Sequence, residues 1–142
     1  MTALYQQHDL EFQFPENWEL REGDADRMPV EITIESPQGS LWILSVFPRD
    51  SDESGLAKNV LDTLKEQYDS FEASSVEEPI GQLTVKGFNC NFFYLDLLIE
   101  AHIRHFSTHD RTFVLLYQAE DRVFQSEKLV LSAISTSLTN GL

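Results

Sequence analysis

Cysteine and histidine are scarce in this chain of 142 residues, which holds one Cys and four His. A single cysteine excludes an internal disulfide and a cysteine-based metal cluster. Cys90 alternates with polar residues in an aromatic stretch, which predicts a small buried hydrophobic side chain. No His-x-x-x-His spacing occurs, and His102 and His105 fall on opposite faces of one predicted strand, so they could not share a metal. We therefore expect no metal and no cofactor.

Positive charge is also scarce, because 10 Lys and Arg face 24 Asp and Glu, for a formal net charge of −14. Such a field repels nucleic acid and anionic membranes and attracts a basic protein. The chain has no apolar run of membrane-spanning length. Its first twelve residues lack the basic flank and apolar core of a signal peptide. We expect a cytoplasmic protein with a protein partner that is basic or presents an apolar segment, without nucleic-acid binding or membrane insertion. A homodimer stays open.

Proline is absent from residues 88–118, and the nearest glycine is Gly87. Phe, Tyr, Ile, Val, Leu and Thr dominate this stretch, which predicts three successive antiparallel strands. A polar turn at 108–111 would place Phe106 opposite Phe113 and Arg104 opposite Leu115. Residues 113–117 are apolar on both faces, which is typical of a central strand covered on both sides.

The rest of the chain also divides into short strands and two helices, which predicts one domain over residues 1–142 with an α+β fold. Residues 1–7 are expected to be a loose lead-in. Alternation or helical spacing predicts strands at 9–14, 18–20, 30–36 and 41–47, a helix at 54–68, an edge strand at 71–78 and a helix at 121–138. The aromatic rings of Trp18 and Trp42 are expected to fill the core.

The two ends of the chain resemble a known superfamily. The opening is Phe12-Gln13-Phe14-Pro15-Glu16-Asn17-Trp18, and the close is the strand 113–117 followed by a helix with Leu131-Ser132-Ala133-Ile134-Ser135-Thr136-Ser137-Leu138. Together with the elements between them, these resemble the PsbP and Mog proteins and their bacterial relatives over about residues 8–138. The resemblance implies an α/β/α sandwich, with a mostly antiparallel central sheet of about six to seven strands and a helix on each face. It also implies binding to other proteins without a shared catalytic activity.

One stretch departs from that superfamily, in which a glycine often marks the turn between two long strands. Here the corresponding stretch, 96–100, contains no Gly, Asn or Pro, so we expect a turn that carries large apolar side chains. These side chains would be either exposed as a contact site or tucked under the N-terminal segment. The candidate interaction patch is Leu97, Leu98, Ile99, Glu100, His102 and Arg104.

Glu100, His102 and Arg104 share one face of the second long strand, and an acid, an imidazole and a guanidinium could form a catalytic or anion-binding group. The preferred interpretation is a solvated stripe with charge pairs across strands. A nucleophile elbow of the form Gly-x-Ser-x-Gly is missing. No catalytic residue is predicted.

The predicted function is a non-catalytic protein-binding module of the adaptor or chaperone type. There are two alternatives. The second hypothesis is a small-ligand-binding protein, and the third is a hydrolase that uses His102. An exposed apolar groove would favour the first and a closed cavity the second. A buried His102 hydrogen-bonded to Glu100 in a cleft would favour the hydrolase.

Overall fold

The computed structural model describes residues 1–24 and 26–142. Ala25 falls within residues 22–29, whose acidic composition predicts a loop, and it lies outside the described residues. Within these ranges the chain forms nine strands and two helices. In chain order they are β1 (Thr2–Gln7), β2 (Leu10–Pro15), β3 (Glu19–Glu22), β4 (Val30–Glu35), β5 (Leu41–Pro48), α1 (Glu53–Gln67), β6 (Asp69–Ile80), β7 (Leu83–Tyr94), β8 (Leu97–Ser107), β9 (Arg111–Glu120) and α2 (Asp121–Asn140).

Seven strands form one antiparallel sheet in the order β3-β4-β5-β9-β8-β7-β6. The three predicted strands of the 88–118 stretch are β7, β8 and β9, and β9 lies at the centre as expected. Phe106 is paired with Phe113, and Arg104 with Leu115, which confirms the predicted register. The sheet ends in the short strand β3 on one side and the long strand β6 on the other.

The two helices pack on opposite faces of this sheet because neighbouring residues of β9 point to opposite sides. Val114 belongs to the core cluster that contains Ala57 and Leu64 of α1. The adjacent Leu115 belongs to the cluster with Leu131 of α2. The predicted α+β fold, with a helix on each face of the sheet, is confirmed.

Both helices begin at side-chain caps, as helix termini with free N–H groups require. Asp52 accepts a hydrogen bond from the backbone N–H of Gly55 at 3.2 Å and starts α1. Glu120 accepts from the backbone N–H groups of Arg122 and Val123 and starts α2. The ranges of both helices match the predicted ranges, 54–68 and 121–138, within one or two residues at each end.

The N-terminal segment is not the expected loose lead-in, because it forms β1 and pairs with β2 in a separate two-stranded sheet. Tyr5 is buried, and its ring stacks on Phe12 at 4.9 Å between centroids. Phe12 in turn packs against Trp42 at 5.2 Å. Aromatic contacts across the hairpin and with the main sheet thus order a segment whose own polarity favoured a loop. Trp18 and Trp42 are both buried, as predicted.

The turn between β7 and β8 also differs from the prediction, which placed it within 96–100. The two strands pair up to Tyr94 and Leu97, so the turn consists of Leu95 and Asp96. Both residues have positive φ, 50° and 65°. Leu97, Leu98 and Ile99 are therefore strand residues. Farther along the same pair, Gly87 is required because a Cβ there would overlap the carbonyl oxygen of Ile103.

Candidate functional site

The β7–β8 turn carries a group of large exposed apolar side chains. We call the hairpin tip the four residues whose exposed fractions are 47% for Phe93, 50% for Tyr94, 78% for Leu95 and 45% for Leu97. Phe93, Tyr94 and Leu95 are consecutive, and Leu97 is paired with Tyr94, so the four side chains lie close together at the end of the hairpin, with Phe93 on the sheet face opposite Tyr94 and Leu97. Contiguous exposed apolar side chains of this kind usually mark a contact site.

Leu95 is unfavourable at its position in two independent ways. Its φ of 50° lies in the left-handed region, where a side chain with a Cβ is disfavoured and Gly or Asn is preferred. It also exposes more of its surface than the other residues of the hairpin tip. A glycine or asparagine would relieve both costs, so neither turn chemistry nor burial accounts for a leucine here. Backbone strain retained in this way is associated with function.

Acidic side chains lie beside the hairpin tip. Asp96 is part of the turn itself, and Asp69 of β6 is paired with Phe93. Glu72 is paired with Asn91, and Glu120 of β9 with Ile99. Together with the net charge of −14, these positions give the apolar group a negatively charged surround. Such a surface is complementary to an apolar segment flanked by cations.

An aromatic cluster fixes the base of the hairpin tip to α1. The ring of Tyr68, at the C-terminal end of α1, stacks on Phe92 at 4.3 Å between centroids. The same ring meets Tyr94 edge-on at 5.7 Å. Phe71 also stacks on Phe92, at 6.1 Å between centroids. The exposed residues are therefore presented by a packed hairpin.

The predicted patch does not form one surface. Leu97 belongs to the hairpin tip, whereas Leu98 and Ile99 are half-buried and point to opposite faces of β8. Arg104 is only 1% exposed, so it is not part of any surface patch. The other arrangement considered, with these residues under the N-terminal segment, is not found either, because that segment forms the β1–β2 hairpin.

Arg104 is the centre of a buried polar cluster instead of part of a solvated stripe. Its Nε donates to Glu78 Oε1 at 2.7 Å, and its Nη1 donates to the carbonyl oxygens of Phe88 and Ile103. Its Nη2 donates to Asn89 Oδ1 at 2.8 Å and faces His102 Nδ1 at 3.4 Å. These contacts engage all five N–H groups of the guanidinium. Arg104 thus ties β6, β7 and β8 together and has no donor left for a ligand anion.

His102 is held in one tautomer by the same cluster. Because a guanidinium can only donate, His102 Nδ1 must accept, and Nε2 carries the proton and faces Glu100 Oε1 at 3.2 Å. Burial, together with the positive charge of Arg104, lowers the pKa of His102 to about 4. Burial raises the pKa of Glu100, and the nearby negative charge of Asp121 raises it further. The imidazole is therefore neutral at pH 7.

This cluster borders a cleft of about 250 Å³ between the sheet and α2, which Tyr117, Phe124 and Ser132 also line. A buried His102 bonded to Glu100 in a cleft is the arrangement that the hydrolase hypothesis required. However, both ring nitrogens already have protein partners, so the imidazole offers Ser132 no lone pair for proton abstraction. Cys90 is on the other face of the sheet, where burial raises the pKa of its thiol to about 11. The geometry thus favours a structural role for His102.

Another depression in the described part of the chain is open to solvent. This groove of about 350 Å³ runs between β2 and α2 and is lined mostly by apolar side chains, which include Phe14, Leu129 and Ala133. Among residues 1–24 and 26–142, no group of three or more His, Cys, Asp or Glu side chains is placed to hold a metal. No helix in the described ranges is long and apolar enough to cross a membrane.

Sequence reasoning missed Phe93, Tyr94 and Leu95, although the sequence contained a signal. The run 92–95 is four consecutive apolar residues, which breaks the alternation of a half-buried strand just before its turn. Glu78 and Asn89, the partners of Arg104, could not be found in this way. They come from two other strands, and nothing in their local pattern distinguishes them from solvent-facing residues.

Known proteins share the architecture but not the sequence. No protein-family model matches the chain, and no curated protein is similar to it in sequence. The crystal structure of LpqN, involved in cell envelope biogenesis of Mycobacterium tuberculosis, is similar with a TM-score of 0.56 at 15% identity, covering 95% of this chain and 87% of LpqN. A protein of unknown function from Pseudomonas aeruginosa, PA94, is similar with a TM-score of 0.50 at 9% identity, covering 90% of this chain and 89% of PA94. At these identities the likeness shows a shared fold.

Proposed function

We propose that this protein is a non-catalytic protein-binding module, and that the hairpin tip binds an apolar segment of its partner. The observation that carries the proposal is Leu95, which is 78% exposed in a strained turn conformation that a smaller or polar residue would adopt more easily. The acidic positions around the tip further define the partner segment. It would be apolar in its middle and carry Lys or Arg on its flanks.

The proposal includes no catalytic role for His102. This residue has its two ring nitrogens engaged by Glu100 and Arg104, and its lowered pKa keeps it neutral. We propose that the cluster stiffens β6, β7 and β8, the strands that support the hairpin tip. The small-ligand alternative has less support, because the grooves described above are open to solvent whereas a small-molecule site is usually enclosed.

The PsbP/Mog-like kinship and the cytoplasmic location remain part of the proposal. The kinship is supported by the sequence motifs at both ends of the chain and by the sandwich architecture, which implies a scaffold for protein binding. The location is supported by a free, buried cysteine, which is compatible with a reducing compartment. LpqN, which shares the fold, is described as a protein of cell envelope biogenesis.

Titration with synthetic peptides tests the hairpin tip. The probe is a fluorescent peptide of about 18 residues with an apolar middle and lysine flanks, and the matched peptides carry glutamate flanks or a serine-rich middle. We expect the lysine-flanked apolar peptide to bind best in fluorescence anisotropy. The double variant Leu95→Glu, Leu97→Glu should weaken its binding at least tenfold, because it places two charges in the contact.

Leu129→Glu is the matched control for this experiment. Leu129 is 79% exposed, almost the same as Leu95, but it lies on α2 away from the hairpin tip. Circular dichroism should show that all variants are folded. Two results would show that the hairpin tip is not the contact site. One is equal affinity for the peptide with the apolar middle and the peptide with the serine-rich middle. The other is an equal loss of affinity in the double variant and in Leu129→Glu.

A further inference from the structure

The outer edge of β6 is a second surface with the features of a binding site. We propose that this edge binds an extended, basic segment of another protein, which adds to the sheet as an eighth strand. The inference depends on the geometry and charge of β6 and not on the apolar contact proposed for the hairpin tip. Addition of a strand supplies affinity through main-chain hydrogen bonds and specificity through alternate side chains.

β6 provides a long template for such pairing. It runs over 12 residues, whereas the opposite edge strand, β3, has 4. Its inner side pairs with β7 from Asp69 to Ile80, and a register shift lies between Asp69 and Glu72. As the last strand of the sheet, it presents its other row of N–H and C=O groups to solvent. Because Pro79 has no N–H, the regular template covers residues 72–78.

The charge of β6 indicates what kind of strand it accepts. The strand contains Asp69, Glu72, Glu77 and Glu78 and no Lys or Arg. Glu78 already pairs with Arg104, and Glu77 is opposite Lys86. Glu72 and Glu77 point to opposite faces of the sheet, so an added strand with cations on both faces would meet an acid on each.

The same charges disfavour a second copy of this chain as the added strand. Two β6 strands joined edge to edge and antiparallel about their middle would place Glu72 of one copy near Glu77 or Glu78 of the other. Like charges directly opposite each other destabilise a strand pair. An edge with this composition therefore resists pairing with itself while it attracts a basic strand.

A groove beside the edge offers a place for an apolar side chain of the added strand. It has a volume of about 460 Å³ and lies on the α1 side of the sheet, where Phe88, Lys86, Ser75 and His105 line it. Phe88 is half-buried there. A side chain of the added strand that points to this face would cover the exposed part of the Phe88 ring. The partner segment is accordingly extended, basic, and apolar at one or two positions on one face.

The test is an NMR titration of the full chain with a 10-residue peptide that carries Lys on both faces of an extended strand and Val at two positions on one face. We expect chemical-shift changes centred on residues 72–78 and slower exchange of the outward amides of β6. The double variant Glu72→Gln, Glu77→Gln removes one negative charge from each face of β6 and should weaken peptide binding at least tenfold. Ser74→Pro and Ser75→Pro, made separately, provide a geometric control, because neighbouring N–H groups of a strand point to opposite sides. The variant whose lost N–H faces solvent should stay folded and lose the peptide.

Three results would overturn the inference. The first uses two peptides, one N-methylated at its odd-numbered residues and the other at its even-numbered residues. In one of them the methyl groups replace the N–H groups that would pair with β6, so binding of both peptides as tight as that of the unmethylated peptide would exclude an added strand. A second is loss of binding only in the variant Leu95→Glu, Leu97→Glu, which would assign the peptide to the hairpin tip. The third is a dimer of the unliganded chain in analytical ultracentrifugation that the folded proline variant abolishes, because the edge would then belong to a second copy.

Discussion

Arg104 shows how a charged side chain can be 1% exposed in a small protein. An uncompensated buried charge is costly, and each guanidinium N–H left without a partner adds to that cost. Here a carboxylate, two carbonyl oxygens, an amide oxygen and an imidazole nitrogen receive the five N–H groups. Arginine is suited to this role because its planar fork can meet several acceptors at once.

The pH dependence of folding should report the environment of His102. In the unfolded chain its pKa is near 6.5, and in the folded chain it is about 4. Below pH 6.5 the unfolded chain therefore binds a proton that the folded chain does not accept until pH is near 4. The stabilisation from neutral His102, up to about 3 kcal/mol, is fully present above pH 6.5 and is lost as pH falls toward 4.

We expect His102→Gln to reduce this loss of stability between pH 6.5 and 4, because glutamine can donate and accept without titrating. Urea denaturation at several pH values measures the effect. The raised pKa of Glu100 works in the opposite direction, since the folded chain takes up that proton at higher pH than the unfolded chain. Both proteins contain Glu100, so the difference between their curves reports His102. Parallel curves for the two proteins would contradict the assigned tautomer and burial.

At the scale of single elements, the periodicity of apolar residues predicted most of the fold. Alternation located β2, β4 and β5, helical spacing located α1 and α2, and the absence of Pro and Gly after position 87 indicated the long strands β7 to β9. These signals work because each element has one or two faces that must be buried. Even the central position of β9 followed from its apolar residues on both faces.

The failures at this scale arose where contacts distant in sequence decide the structure. β1 is too polar to predict as a strand, and it is ordered by the stack of Tyr5 on Phe12 and by the hairpin with β2. Arg111 also holds the β1–β2 turn by donating from Nη2 to the carbonyl oxygen of Asp9 at 3.1 Å. The turn at Leu95 and Asp96 was displaced in the prediction because Leu95 is not one of the Gly, Asn or Asp residues that a turn with positive φ favours.

The turn of the β7–β8 hairpin should show a conflict between stability and binding. Leu95→Asn places a residue that tolerates positive φ at this position and removes an exposed leucine. We expect the variant to be more stable than the parent by roughly 0.5–1 kcal/mol. Its affinity for the lysine-flanked apolar peptide should fall. Chemical denaturation measures the first effect, and fluorescence anisotropy the second.

His8→Asn is the matched control, because His8 and Asp9 form the corresponding turn of the β1–β2 hairpin, each with a φ of 56°. It should give a smaller gain in stability, because His tolerates positive φ better than Leu does, and no change in peptide affinity. If Leu95→Asn leaves peptide binding unchanged, Leu95 is not retained for the contact. If it destabilises the protein, the side chain contributes packing that its exposure does not show.

At the scale of the whole molecule, the net charge of −14 acts on both proposed surfaces. The hairpin tip has acids beside it, and β6 carries four acids of its own. Charges at the periphery of an interface mainly steer the encounter, whereas the close apolar contacts determine how long the complex lasts. The two contributions should therefore separate in the kinetics of binding.

Stopped-flow measurements with the lysine-flanked apolar peptide test this separation. Raising NaCl from about 50 to 500 mM shortens the Debye length from roughly 14 to 4 Å, so the association rate constant should fall at least fivefold. The dissociation rate constant should change much less with salt, but it should rise in the variant Leu95→Glu, Leu97→Glu because the apolar contact is lost. An association rate that does not depend on salt would show that the acidic surface does not recruit the partner. A dissociation rate that follows salt as steeply as association would place the charged groups, and not the leucines, at the centre of the contact.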